Sequence, residues 1–175
     1  MKTYIFPSVI ERHSSELRNV TPELLHGLKI YDNGHGYILG QLALSEGNSP
    51  HKAINSSPDD LDYKLLAEAG LMLAAQEVED PIELTVGFPY ATFQRNRKKA
   101  IQALEGRLYV EYEVGGDDKT TTTFEIGSVH VIPEVVGGII ATRNEEKSLK
   151  EEDFFMVSLG YGTFEACLSR TSGVV

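Results

Sequence analysis

Residues 154–169 read FFMVSLGYGTFEACLS. An apolar run enters a tight Gly160-Tyr161-Gly162-Thr163 turn, and a second, half-apolar run leaves it. Two readings compete. In one, the glycines supply the backbone geometry of an ordinary hairpin. In the other, the N–H groups of the turn and the Thr163 hydroxyl are aimed at a phosphate. The rest of the chain has to decide, because open α/β sheets bind ligands at a rim where several connections gather.

The chain has 175 residues, enough for one sizeable domain or two small lobes. At that length about 70% of the surface of the unfolded chain is removed from water. No stretch approaches the roughly 20 apolar residues that span a bilayer, and the N-terminus lacks a charged-then-apolar leader. The expected location is therefore the cytoplasm, with no membrane partner. The formal charge of −10 argues against a nucleic-acid surface, which needs clustered Lys and Arg. The one dense basic stretch, QRNRKKA at 94–100, reads as the solvated face of a helix, a local anion contact being the alternative. Cys167 is the single cysteine, so it forms neither an internal disulfide nor a thiolate zinc pair, and it reads as a small buried hydrophobe.

Along the chain, TYIFPSVI is a short strand interrupted by Pro7, which implies an edge or a strand end. LKIYDNGHGYILGQLAL places two apolar runs around Asn33-Gly34, the pattern of a hairpin with a type I′ turn. Its D-x-G-x-G string has the form of a phosphate loop but is read as that turn. SSPDDLDYKLLAEAGLMLAAQEVE is a helix with Ser57 as cap and Pro58 at the first position. Leu61, Leu65, Leu66, Ala69, Met72 and Leu73 form its inward stripe. IELTVGF is a buried strand. ATFQRNRKKAIQALEG is a second helix, with Phe93, Ala100, Ile101 and Leu104 inward and Gly106 as its stop. RLYVEYEV and KTTTTFEIGSVHVI form a strand pair about Gly115-Gly116-Asp117-Asp118. PEVVGGIIATR is a short helix, NEEKSLKEED a charged connection and expected hinge, and the final pair carries the opening motif. The order β, ββ, α, β, α, ββ, α, ββ implies an α/β domain with a mixed sheet.

Two further features lie where a strand meets a helix: Gly87-Phe88-Pro89 and Pro133-Glu134. Together with the Gly-Tyr-Gly-Thr turn they put polar groups on one rim. Glu134, as a carboxylate, is placed to orient or polarise an attacking water. The histidines, His13, His26, His35, His51 and His130, show neither i, i+4 spacing nor a Glu partner on a helix, so no metal site is read from them.

Taken in order, these segments resemble the actin-like ATPases of bacteria of the ParM/StbA plasmid-segregation type. VSLGYGTFEACLS resembles that family's second phosphate loop, D-[IL]-G-[GY]-G-T-x-[DE]. VHVIPEVVGGIIA resembles the segment whose glutamate positions the hydrolytic water. LTVGFPYATFQRNRKKAI, FPSVI and YILGQLAL resemble its strand–proline–helix link and the stretch after its first phosphate loop. The resemblance implies an actin-like, ribonuclease H-like mixed sheet flanked by helices: a first lobe over 1–143, a connection over 144–153, and the opening hairpin of a second lobe over 154–175. It implies ATP and Mg2+, with phosphate on Gly160, Tyr161, Gly162 and Thr163, Glu134 on the water, and Ser158 near the metal where the family has aspartate. A neutral hydroxyl is a weaker ligand for a hard dication than a carboxylate. Family members are longer, and their first phosphate loop would precede Phe6, where only five residues stand. A chain shortened at both ends in this way is expected to self-associate or to need a second polypeptide that completes the fold. The function implied is a shortened or split ATP-dependent filament protein. The alternative is a non-catalytic binding module on the same scaffold, with a sugar or acetate kinase third.

Overall fold

The computed structural model describes residues 3–18, 21, 23–54, 57–115, 118–160 and 162–174. In chain order the elements are β1 (Val9–Arg12), α1 (Leu24–Gly27), β2 (Leu28–Asp32), β3 (His35–Leu39), α2 (Gly40–Glu46), β4 (His51–Lys52) and α3 (Leu61–Ala74). They continue as β5 (Ile82–Phe88), α4 (Tyr90–Leu104), β6 (Gly106–Val114), β7 (Thr120–Pro133), α5 (Glu134–Glu145), a 3-10 turn (Lys147–Lys150), β8 (Phe154–Leu159), β9 (Phe164–Arg170) and β10 (Gly173–Val174). A seven-stranded mixed sheet has the order β4-β1-β3-β2-β6-β7-β5, and a three-stranded sheet the order β10-β9-β8. This is the mixed α/β architecture that the element order implied. Among the described residues no helix is long and apolar enough to cross a membrane.

Two compact units are present, residues 1–82 with 103–127 and residues 83–102 with 128–175. In the first, the β2–β3 hairpin turns through Asn33 (φ 48°) and Gly34 (φ 78°), with Asp32 opposite His35. Two successive positive φ values define the type I′ turn that Asn-Gly accommodates, so the D-x-G-x-G string is a turn. β1 starts just beyond Pro7, as a proline at a strand end requires, and pairs with β3 and with the two-residue β4. The GQLAL stretch departs from expectation. Gly40 takes φ +60°, which ends β3, and residues 40–46 are helix α2. Leu42 and Ala43 thereby pack with Val9 and Ile38 in a fully buried cluster, against which Leu17 rests.

Helix α3 also differs from its sequence pattern. It begins at Leu61 rather than at Pro58, and Asp60 stands at the N-cap. The Asp60 carboxylate accepts from the Ser57 N–H at 2.6 Å, so the Ser-Pro-Asp-Asp run closes a turn before the helix instead of opening it. Leu65, Ala69, Met72 and Leu73 are buried as expected, while Leu61 is exposed and Glu68 is buried in its stead. β6 and β7 pair from Gly106–Ile126 to Tyr112–Thr120. Of the turn expected at 115–118, Gly116 and Asp117 lie outside the described residues.

In the second unit β5 is not the buried strand its apolar run suggested. Phe88 is buried, and the residues from Glu83 to Gly87 alternate between exposed and half-buried. In α4, Ala100 is buried while Phe93 and Ile101 are half-buried. One face of the β8–β9 ribbon packs on α5. A Cβ at Gly138 would lie 3.8 Å from Met156 Cε, an ordinary contact. Arg143, near the end of α5, ties the region together. Its Nε donates to Ser169 Oγ at 2.9 Å, its terminal nitrogens donate to the carbonyls of Leu149, Lys150 and Glu152, and its guanidinium lies 4.9 Å from the Phe154 ring centre. Planar, forked donors make such a clamp available to Arg and not to Lys. The other face carries Phe155, Val157, Leu159, Phe164, Ala166 and Leu168, matched in register across the two strands. Phe155, Leu159 and Phe164 are 69–78% exposed there.

Candidate functional site

The second unit brings together the starts of α4 and α5 and the β8–β9 ribbon. Glu134 is the first residue of α5, held there by Pro133 at the N-cap with φ −64°, a value proline imposes. A carboxylate in a first turn also complements the positive end of the helix dipole. The backbone of β5 passes close by. A Cβ on Gly87 would stand 3.0 Å from Glu134 Cγ and 3.6 Å from its Cα. A side chain at the first position of the Gly87-Phe88-Pro89 link would therefore press on the glutamate.

Glu165, on β9, completes the arrangement. It is the register partner of Ser158 on β8, on the ribbon face that packs against α5. Its Oε1 accepts a hydrogen bond from the Tyr90 backbone N–H, the first of the orphan donors of α4. Its Oε2 is buried without a hydrogen-bond partner among the described residues. The Glu134 carboxyl is raised above the ordinary carboxylate range, by partial burial first and by the charge of Glu165 second. A neighbouring like charge favours the protonated form of a carboxyl, or a cation beside it.

The glycine turn has its own internal order. The Gly160 N–H donates to the Thr163 carbonyl at 2.9 Å, so it is spent within the turn rather than turned outward. A Cβ on Gly160 would come within 2.8 Å of Thr163 Oγ1 and 3.4 Å of its carbonyl oxygen. A side chain at 160 would have to displace the threonine hydroxyl that folds over it. Tyr161 lies outside the described residues, and Gly162 is exposed at the tip. The structure therefore brings Gly87 against Glu134, places Glu165 near enough for its charge to act on Glu134, sets Ser158 opposite Glu165, and folds Gly160 against Thr163. No described contact joins Glu134 to Gly160 or Thr163.

Beside this cluster is a cavity of about 530 Å3. Tyr90, Val135, Val136, Phe164 and Cys167 form largely apolar walls, and Glu165 is the one charged group on them. Sequence reasoning did not single out Glu165 or Tyr90. The signal for Glu165 was present, since it fills the acidic last position of the D-[IL]-G-[GY]-G-T-x-[DE] pattern. Nothing in the sequence marked the Tyr90 N–H. Among the described residues no group of three or more His, Cys, Asp or Glu is arranged to hold a metal ion. Ser158, opposite Glu165 in the ribbon, offers a hydroxyl where a carboxylate would be the stronger ligand for a hard dication.

A family model described as the N-terminal domain of actin-like proteins matches residues 1–137. No curated protein sequence matches the chain. Among solved structures, the apo ParM protein of pSK41 superposes with a TM-score of 0.67 at 19% identity, over 98% of this chain and 57% of its own. The archaeal actin homologue Ta0583, in complex with ADP, gives 0.65 at 20% identity over 99% and 52%. A filament of AlfA bound to AMPPNP, AlfA being the protein of B. subtilis plasmid pLS32, gives 0.64 at 16% over 97% and 57%. The chain spans between 52% and 57% of the length of these three structures.

Proposed function

Because this chain belongs to the family of actin-like proteins, we propose that it binds ATP at the β8–β9 turn and acts in a self-associating, filament-type assembly of the plasmid-segregation kind, in the cytoplasm. The observation that supports this reading is Glu134 at the start of α5, packed against Gly87 and acted on by the charge of Glu165 on β9, two residues beyond a turn whose Gly160 and Thr163 are sterically matched. On this reading 1–143 form a first lobe, 144–153 the connection, and 154–175 the opening hairpin of the second.

In this account the backbone N–H groups of Tyr161 and Gly162, with the Thr163 hydroxyl, bind phosphate oxygens. Gly160 contributes shape, its own N–H being spent on Thr163. Glu134 accepts a hydrogen bond from a water and aims its lone pair at the terminal phosphorus. Its raised affinity for protons makes it a better proton acceptor than an ordinary carboxylate, although it stands largely exposed. Glu165 fixes the α4 terminus through the Tyr90 N–H and supplies the charge that tunes Glu134. Mg2+, when bound with the nucleotide, would be held beside Glu165 and Ser158 and would neutralise phosphate charge. A second copy or a second polypeptide supplies the remaining walls of the nucleotide site.

Calorimetry with magnesium-ATP tests the reading. The expected dissociation constant is below about 0.1 mM, a free energy of roughly −5.5 kcal/mol. Thr163→Ala should weaken binding, whereas Glu134→Ala should spare binding and abolish turnover. Absence of heat up to millimolar nucleotide would overturn it in favour of a non-catalytic module. That second reading is favoured by Ser158, a hydroxyl where the family pattern has aspartate, and by the exposed apolar face of Phe155, Leu159 and Phe164, which suits association more than chemistry.

A further inference from the structure

A second cavity, of about 360 Å3, lies wholly within the first unit. It is bounded by the β2–β3 turn, the segment entering α3, the first turns of α3, the last residues of α4 and the start of β6. Its volume falls at the lower end of small-ligand sites, which run from roughly 300 to 1,000 Å3. Leu61, Tyr63, Leu104 and Leu108 give it apolar walls. Four carboxyl groups line it, those of Asp32, Asp59, Asp60 and Glu68, against a single ammonium, that of Lys64.

Glu68 separates this cavity from an ordinary acidic patch. Its side chain is only 9% exposed, yet it lines the cavity. Lys64 is committed elsewhere, with Nζ 2.5 Å from Asp32 Oδ1 and 3.8 Å from Glu68 Oε1. The longer separation is an ion pair without a hydrogen bond. No other donor reaches the Glu68 carboxyl among the described residues. Buried carboxylates are normally hydrogen-bonded as well as paired, because water has been removed from them. Here the missing donor has a place to come from, the adjoining cavity. An anion is disfavoured by the surplus negative charge. A bare metal ion would find carboxylates on one side and leucines on the other, and among the described residues no metal-holding group is assembled.

We propose that this cavity binds a small organic cation, a primary ammonium or guanidinium on a short apolar body, whose head donates to Glu68 while its body lies against Leu61, Leu104 and Leu108. Asp59 and Asp60, exposed at the entrance, add long-range attraction for the cation. No titratable side chain reaches the cavity from α4 or β6, so the charges that act on Glu68 there are those of Asp32, Asp59, Asp60 and Lys64, with the Tyr63 hydroxyl neutral, its pKa raised to about 12 by burial. The site is independent of the β8–β9 turn and of any nucleotide.

The test is a titration of the full chain with benzylammonium near neutral pH, followed by amide chemical shifts, with benzyl alcohol and benzoate as controls of the same shape. Saturable shifts confined to residues around the cavity are expected, with a dissociation constant of about 1 mM or tighter. Glu68→Gln, which keeps the shape and removes a buried charge, should weaken benzylammonium by about tenfold, the worth of one charge-assisted hydrogen bond. In the wild type the Glu68 carboxyl, followed by 13C shift, should titrate at lower pH when the amine is bound. The proposal is overturned if benzylammonium does not saturate, if benzyl alcohol binds equally well, or if Glu68→Gln leaves the affinity unchanged.

Discussion

Glu68 allows a stability experiment whose sign and size both follow from its surroundings. In the folded chain its carboxyl is raised from 4.5 to about 7, chiefly by burial and further by the Asp32 charge, with Lys64 pulling it partly back. Between those two pH values the folded state holds a proton that the unfolded state has released. Stability therefore falls as pH rises from 4.5 toward 7, and it levels off above that. The full span of the shift is worth about 3 kcal/mol. Glu68→Gln stays in the neutral form at every pH and escapes this loss. Its stability relative to wild type should be near zero change at pH 4.5 and should grow to a gain of about 2–3 kcal/mol at pH 8. Urea unfolding of both proteins across this range gives the difference directly, at slopes that should match between them. A difference that is flat with pH, or one in which wild type gains on the variant as pH rises, would show that Glu68 is charged and satisfied in the fold.

Gly87→Ala should cost only about 1 kcal/mol of stability, since Glu134 Cγ can yield a few tenths of an ångström, but it should lower ATP turnover by about tenfold through displacement of that carboxylate; circular dichroism and phosphate release separate the two effects. Gly160→Ala should push the Thr163 hydroxyl out of its place and weaken magnesium-ATP by about tenfold with little change in unfolding midpoint, as calorimetry and thermal melts will show. Turnover should rise with pH through a Glu134 titration that lies above the ordinary carboxylate range, and Glu165→Gln should move that midpoint downward by removing the facing charge, read from pH–rate profiles. Arg143→Lys should lose most of the four donor contacts to Ser169, Leu149, Lys150 and Glu152, for a loss of about 2 kcal/mol in chemical denaturation.

Where local backbone chemistry decides the outcome, the sequence was legible. The Asn33-Gly34 turn, the Pro133 entry into α5 and the pairing of 154–159 with 164–170 each depend on residues within a few positions of one another. The departures arise where tertiary packing overrides a local pattern. Leu42 and Leu44 alternate as in a strand, yet burial of Leu42 and Ala43 against Val9 and Ile38, after a left-handed Gly40, is served by a helix. In α3 the period of 3.6 places residue 68 between Leu65 and Met72 on the inward stripe, so the buried glutamate was in the pattern but its charge hid it. The Glu134–Glu165 pair was half legible. Each glutamate belongs to a recognisable segment, but their approach depends on how α5 packs on the ribbon through Gly138, Met156 and Arg143.

Unsatisfied buried polar atoms are common enough that they do not mark a site unaided. His13 Nε2 and Asn96 Oδ1 are both buried without a hydrogen bond among the described residues, as Glu165 Oε2 is. Neither His13 nor Asn96 lines either of the two cavities, so neither points to a ligand there. Glu165 and Glu68 differ in kind: each is a carboxyl short of a donor, each faces a like charge, Glu134 in one case and Asp32 in the other, and each opens on a cavity. A carboxylate so placed destabilises the empty site and favours any guest that brings positive charge or a donor. The two sites call for different guests because their walls differ. At Glu165 the proposed guest of the adjoining glycine turn is a phosphate, and on that reading the cation is the one that accompanies a nucleotide. At Glu68 the neighbours are carboxylates and leucines, with no group to receive an anion, so the cation must carry its own apolar body.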